Sequence, residues 1–381
     1  MSDTDVGELN DASLQDSVDL SHSESWAIYS FSSYFQQYDW NVDLEDRFIL
    51  NKIAFFVFLA LIVVGALCNG VHLYSIVAFE RARRLVENVL IGNLLIADLL
   101  YLSTASIANL MVCGYFAFVS HHVIPMFIIH CFKILELFNT VVLYQIGSMI
   151  TVLAVDYYVV VTHPITARKW RSPRNAFVLC IILWIAGVIV AVADGLTFLA
   201  DHPMIHIVML IKDSLIVIFL YLVPVTLTTT LHICVCRTLW SARRATGQTR
   251  QQHSNRFAQM TEADGSAPGA LVRAQEMPNT TALFVSFLIC WAIYHTTILV
   301  IVFVFALKGF DHPIYENNKD EILTIFADMA VHFNVALNPL FYAAFNPKAW
   351  RHISQTVYVI LKCNGRPFED QTPLSDEAET A

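Results

Sequence analysis

Hydrophobic positions in this chain gather into seven runs: Ile53 to Phe79, Val86 to Val112, Cys131 to Val161, Ala176 to Leu199, Leu215 to Leu239, Ala282 to Leu307 and Ile322 to Phe345. Each reaches or exceeds the roughly 20 apolar residues that a helix needs to cross bilayer hydrocarbon. The pattern predicts an all-α membrane protein, a seven-transmembrane helix bundle over 49–346 with short loops. A further segment, Lys348 to Leu361, is amphipathic and predicts an eighth helix lying on the membrane surface over 347–362.

Composition agrees, since 56% of the 381 residues are hydrophobic and 14% are charged, an apolar excess that no ordinary water-soluble domain needs. Bases follow the first, third, fifth and seventh runs, at Arg81, Arg83 and Arg84, at Arg168, Lys169, Arg171 and Arg174, at Arg243, Arg244, Arg250 and Arg256, and at Lys348 and Arg351. They fall on one side, which the positive-inside rule makes cytoplasmic. The expectation is a multi-pass plasma-membrane protein with its amino terminus outside.

Residues 1–48 carry many acids, have no signal-peptide core, and are expected to be a disordered extracellular arm. Tyr29, Tyr34 and Tyr38 there interleave with Trp26, Phe31, Phe35 and Trp40. The arm reads as an acidic surface for a basic partner, as a site of tyrosine sulfation, or as a solvating tail. The last stretch, 363–381, is expected to be a disordered cytoplasmic tail.

Polar residues inside the runs narrow the reading, because a polar group in hydrocarbon must be paired or functional. Asn69 lies in the first run, Asp98 in the second within NLLIAD, Trp184 in the fourth, Pro224 in the fifth, Phe287 and Trp291 in the sixth within FLICW, and Asn334 and Asn338 in the seventh within NVALNPLFY. In this order the set resembles the rhodopsin-like (class A) G-protein-coupled receptors, from about Ile53 to Leu361. The resemblance implies a midplane polar cluster of Asp98, Asn334 and Asn338, which in the family often holds a sodium ion. It implies an activation switch built from Asp156, Tyr157, Pro224, His232, Phe287, Trp291, Pro339 and Tyr342. Trp291 would be the lever beneath the ligand, and Tyr342 would swing with a kink at Pro339.

The chain departs from the family's pattern in that switch. Asp156 stands eight residues before Pro164 in VDYYVVVTHP, so Tyr157 occupies the place of the family's arginine. A phenol cannot neutralise a carboxylate, and Asp156 is expected to lean on loop bases such as Arg168 or Lys169, or on water. His232 stands where the family usually has a tyrosine, and Ile293 replaces a proline. The second outer loop has no cysteine to pair with Cys131. Cys113 is the other cysteine on that side, and the unlinked state is expected for both. Cys363 follows the amphipathic segment as a palmitoylation candidate.

Seven residues are expected to face a ligand: Glu136, Asn139, Asp194, Tyr294, His295, Asp328 and His332, with Lys133, Lys212 and Asp213 at the rim. Asn139 replaces the family's amine-binding aspartate, and His332 stands where opsins carry the retinal-linking lysine. The charges point to a peptide or another polar ligand. The leading function is a receptor that passes binding of an extracellular peptide to heterotrimeric G proteins, arrestin, or both. Two others stay open: a weakly coupling decoy, scavenger or modulatory receptor, and a seven-span zinc hydrolase. No phosphate loop, nucleophile elbow or nucleic-acid patch is present, so neither an enzyme nor a nucleic-acid partner is expected.

Overall fold

The computed structural model describes residues 44–79, 85–118, 126–198, 211, 214–252, 277–308, 318–345 and 347–361. The described chain forms α1 (Leu44–Ala78), α2 (Val86–Ser103), α3 (Ala105–Phe118), α4 (Met126–Thr162), α5 (Pro164–Trp170), α6 (Pro173–Phe198), a π-helical turn (Ile218–Leu222), α7 (Val223–Gln252), α8 (Met277–Lys308), α9 (Asn318–Phe345) and α10 (Pro347–Leu361). Seven spans are long and apolar enough to cross a membrane. The first is α1, the second joins α2 to α3, the third is α4, the fourth α6, the fifth includes the π turn and α7, the sixth is α8 and the seventh α9. The predicted bundle and surface helix are both present. The second apolar run extends further than Val112, to Phe118, with a break at Thr104.

That break has a local cause. Ser103 and Thr104 both donate their hydroxyls to the Leu100 carbonyl, at 2.9 and 2.8 Å, while the Thr104 N–H bonds Tyr101 at i−3. Side-chain hydroxyls that bond back to the preceding turn compete with the helix ladder and bend it. The π turn of the fifth span likewise lies just before Pro224, which has no N–H for the Leu220 carbonyl. Gly147 of the third span fits there, since a Cβ at this position would come within 3.3 Å of that carbonyl oxygen.

Apolar side chains are sorted by partner rather than by inside and outside. On the fourth span Phe177, Ile181, Ile185, Val188 and Val192 are exposed, while Ala176, Cys180 and Ala191 are buried, as expected when lipid solvates the outer face. The first span turns Phe58, Gly65, Asn69 and His72 toward its neighbours, all buried and spaced at whole helical turns. Its packing is closest at Gly65, where an added Cβ would lie 2.8 Å from Leu102 Cδ1 and 3.1 Å from the Ala336 Cα.

Candidate functional site

A directed chain of hydrogen bonds runs through the bundle's middle. Trp291 Nε1 donates to Asn334 Oδ1 at 3.2 Å, Asn334 Nδ2 to Asn338 Oδ1 at 3.2 Å, and Asn338 Nδ2 to Asp98 Oδ2 at 3.1 Å. An indole only donates, so Asn334 turns its oxygen to Trp291 and each amide in turn donates onward, ending at Asp98. Asn334 Nδ2 also donates to Ser286 Oγ at 2.8 Å, tying the sixth span to the seventh. The predicted cluster of Asp98, Asn334 and Asn338 is therefore assembled, and Trp291 belongs to the same network. Trp291 packs on Phe287 with ring centroids 4.8 Å apart.

For the sodium ion that the resemblance implies, the cluster offers few oxygens that are not already engaged. A hard cation takes several oxygen ligands, yet Asn334 Oδ1, Asn338 Oδ1 and Asp98 Oδ2 each already accept an N–H. Asp98 Oδ1 and Asn69 Oδ1 are the buried cluster oxygens without a partner. The third span brings Val142 and Ile146 into the same core as Ala97, Trp291 and Val335.

Asn69 has a structural duty as well. Pro339 cannot donate to Val335, four residues earlier, and Asn69 Nδ2 donates to that freed carbonyl at 3.1 Å and to Gly65 O at 2.9 Å. Below the proline, Tyr342 donates its hydroxyl to Glu87 Oε1 at 2.7 Å. His72 stacks on the Tyr342 ring at 5.4 Å. Sequence reasoning missed both Glu87 and His72. His72 carried a faint signal, three residues beyond Asn69 on the same helix face; Glu87 read as an ordinary acid in a helix's first turn, favourable to the dipole.

At the basic end Asp156 does lean on a loop base, and the one that the structure shows is Arg171. Arg171 Nε donates to Asp156 Oδ1 at 3.0 Å, and Arg171 Nη2 donates to Oδ2 at 3.0 Å. Lys169 is exposed, and the Arg168 side chain lies outside the described residues. A guanidinium suits Asp156 better than the Lys169 ammonium would because its planar fork matches both carboxylate oxygens, and the backbone from Pro164 to Ser172 turns Arg171 back toward the third span. Tyr157 is buried. His232 stacks on Phe284 at 5.0 Å and donates Nδ1–H to the Thr228 carbonyl at 2.9 Å, which in the neutral ring leaves Nε2 as an acceptor without a partner. It lines a gap of about 10 Å³ with Ile150, Leu153, Ala154, Leu283 and Phe284. With one polar side chain in its wall, that gap suits no ordered water.

Toward the opposite end lie the expected ligand residues. His295, one turn above Trp291, is enclosed by Tyr221, Trp291 and Tyr294 with ring centroids 5.0, 5.6 and 5.2 Å away, and neither of its nitrogens has a partner among the described residues. His332 is fully buried between Phe58 and Tyr101, with centroids at 4.7 and 5.0 Å. Its Nδ1 donates to the Asp328 carbonyl, 2.6 Å away, and its Nε2 has no partner. Asn139 Oδ1 is likewise buried and unpartnered, and Asp328 is half-buried. The side chains of Glu136, Asp194, Lys133, Lys212 and Asp213 lie outside the described residues, as does Cys363. Cys113 and Cys131 are both free.

This arrangement sets a tryptophan over a buried carboxylate network beside a seventh span with a proline inside it. The family model for the 7 transmembrane receptor (rhodopsin family) matches residues 68–342, and the chain belongs to that family. Among curated relatives, galanin receptor 2b of Danio rerio is 21% identical over 243 residues, covering 61% of this chain and 58% of that receptor. The pyroglutamylated RF-amide peptide receptor of Rattus norvegicus is 23% identical over 347 residues, 83% of this chain and 72% of that receptor. Somatostatin receptor type 2 of Mus musculus is 27% identical over 142 residues, 37% of this chain and 36% of that receptor. The chain spans less than two thirds of the length of the galanin and somatostatin receptors that it matches, and membership in the family counts against the hydrolase reading. Among the described residues no three His, Cys, Asp or Glu side chains are grouped to hold a metal.

Proposed function

We propose that the chain is a cell-surface receptor for a peptide, with its amino terminus outside and its basic loops meeting heterotrimeric G proteins, arrestin, or both. The observation that carries this reading is the set of buried polar atoms that have no partner among the described residues in the half of the bundle away from Arg171: Asn139 Oδ1, both nitrogens of His295, and His332 Nε2. A buried donor or acceptor costs about 1–3 kcal/mol when unsatisfied, and a polar ligand would satisfy several at once. Trp291 lies directly beneath His295, so such a ligand would press on the chain of bonds that ends at Asp98. The peptide names of the three relatives support the same ligand class.

Asp328 lies in that half, Glu136 and Asp194 are expected there from the sequence, and the ligand is proposed to carry a basic group that pairs with Asp328 and Glu136. A surface-expressed receptor screened against a peptide library, with G-protein and arrestin sensors in parallel, tests the function. With a hit in hand, Asp328→Asn weakens it by tenfold or more at unchanged surface level. An unaltered dose-response in both Asp328→Asn and Glu136→Gln would remove the basic-ligand reading.

Tyr157 favours a second reading, a decoy or modulatory receptor with weak coupling, since the family's cationic contact is missing there. Internalisation or arrestin recruitment without G-protein activation in the same screen would select it. Palmitoylation of Cys363, beyond the amphipathic α10, is proposed to anchor the tail to the bilayer.

A further inference from the structure

Three spans converge on the phenol of Tyr342. The second supplies Glu87, whose Oε1 accepts the Tyr342 hydroxyl at 2.7 Å. The first supplies His72, stacked on the ring with an interplanar angle of 25°. The seventh supplies Tyr342 itself, 2% exposed, three residues after Pro339. Because Pro339 has lost its ladder bond, the segment that follows it is the part of the seventh span most free to rotate. Asn69 compensates above the proline, through the Val335 carbonyl. Below it, Tyr342 carries the tie to the second span, across 255 residues of sequence.

The tie is of the strong kind. A hydroxyl donating to a carboxylate makes a bond that is shorter and roughly twice as strong as one between neutral groups, here with Tyr342 buried and Glu87 partly buried. His72 cannot follow a moving ring at no cost, because it is itself 2% exposed and Ser75 Oγ donates to its carbonyl at 2.7 Å. Meanwhile the arginine that could hold the basic end through Asp156 is absent from 157, and Arg171 is already engaged with Asp156. No guanidinium at 157 competes for the role of resting lock.

We infer that Glu87 is the positioning residue of the switch: it holds the segment below Pro339 closed by keeping Tyr342 bonded to the second span under the His72 ring. Opening of the basic end requires that bond to break. The inference rests on the reading of the chain as a switching receptor, but its primary test needs neither a ligand nor a G protein.

The test uses the full chain in lipid nanodiscs and follows backbone hydrogen exchange in 340–345, with 90–102 as internal reference. Glu87→Ala and Tyr342→Phe each remove the bond, from opposite sides, and Tyr342→Phe keeps the ring on which His72 stacks. Each should speed exchange in 340–345 by roughly tenfold or more, the scale expected for a lost hydrogen bond to a charged group. The double variant should be no faster than the faster single one, and Glu87→Gln, which keeps an acceptor, should stay within about threefold of wild type. Exchange within twofold of wild type in Tyr342→Phe, or a double variant whose effect is the product of the singles, overturns the inference.

Basal G-protein activation at matched surface level is the second readout, expected to rise severalfold in both single variants. Faster exchange with flat basal activity supports the latch and counts against G-protein coupling, so the two failures separate.

Discussion

Arg171 grips both carboxylate oxygens of Asp156 from fifteen residues further along the chain, with Nε and Nη2 each 3.0 Å from an oxygen. The pair closes the turn between the third span and the fourth, and it does so partly exposed, with side-chain exposures of 34% for Arg171 and 18% for Asp156. Its coupling is therefore modest, at most about 1 kcal/mol. A double-mutant cycle on thermal stability with Asp156→Ala and Arg171→Ala should return that value, and Arg171→Lys should lose most of it, because an ammonium cannot present the fork. Additive single effects would mean the contact contributes no stability.

Tyr157→Arg should raise agonist-driven G-protein coupling at matched surface level, because it adds a cationic contact at the basic end. Arg171 already holds Asp156, so a new arginine must compete for it. The gain should then be larger in an Arg171→Ala background. Strong wild-type coupling that the arginine does not increase would show that the tyrosine is a neutral replacement, and the decoy reading would be dropped.

The midplane cluster should be indifferent to sodium. Purified receptor is expected to melt at the same temperature in sodium chloride and in N-methylglucamine chloride of equal ionic strength, since the cluster's acceptors are largely occupied by N–H groups. Saturable stabilisation by sodium that Asp98→Asn abolishes would show that an ion displaces the Asn338 amide.

Two glycines of the first span should answer oppositely to alanine. At Gly65 the new methyl would meet the Ala336 backbone at 3.1 Å as well as Leu102, and overpacking of this kind costs about 1–3 kcal/mol. At Gly70 nothing lies within 4 Å, so alanine should stabilise by about 0.5–1 kcal/mol through helix propensity. Thermal denaturation of both variants, with surface expression as a second measure, checks the pair; equal effects would remove the first and seventh spans' close approach as an explanation.

The seven spans were legible from the chain because bilayer thickness fixes the length of an apolar run, and hydrocarbon admits few exceptions to it. The midplane residues Asp98, Asn334 and Asn338 were legible for the same reason, since a polar group at that depth stands out against its neighbours. Glu87 and Arg171 did not stand out. Both lie near span ends, where charged residues are common and water or headgroups solvate them, so composition gives no hint of a partner.

Which carboxylate meets which donor was decided by tertiary structure. Packing at Gly65 sets the distance between the first and seventh spans, Pro339 frees a carbonyl that Asn69 then claims, and the turn after Pro164 carries Arg171 back over Asp156. The chain's own pattern determined how many helices cross and which residues must be satisfied inside. Their register against one another depends on contacts between residues up to 266 positions apart, as between Asn69 and Val335. A periodicity read along one helix carries no information about that register, because it fixes which face turns inward but not how far the neighbouring helix is raised or rotated against it.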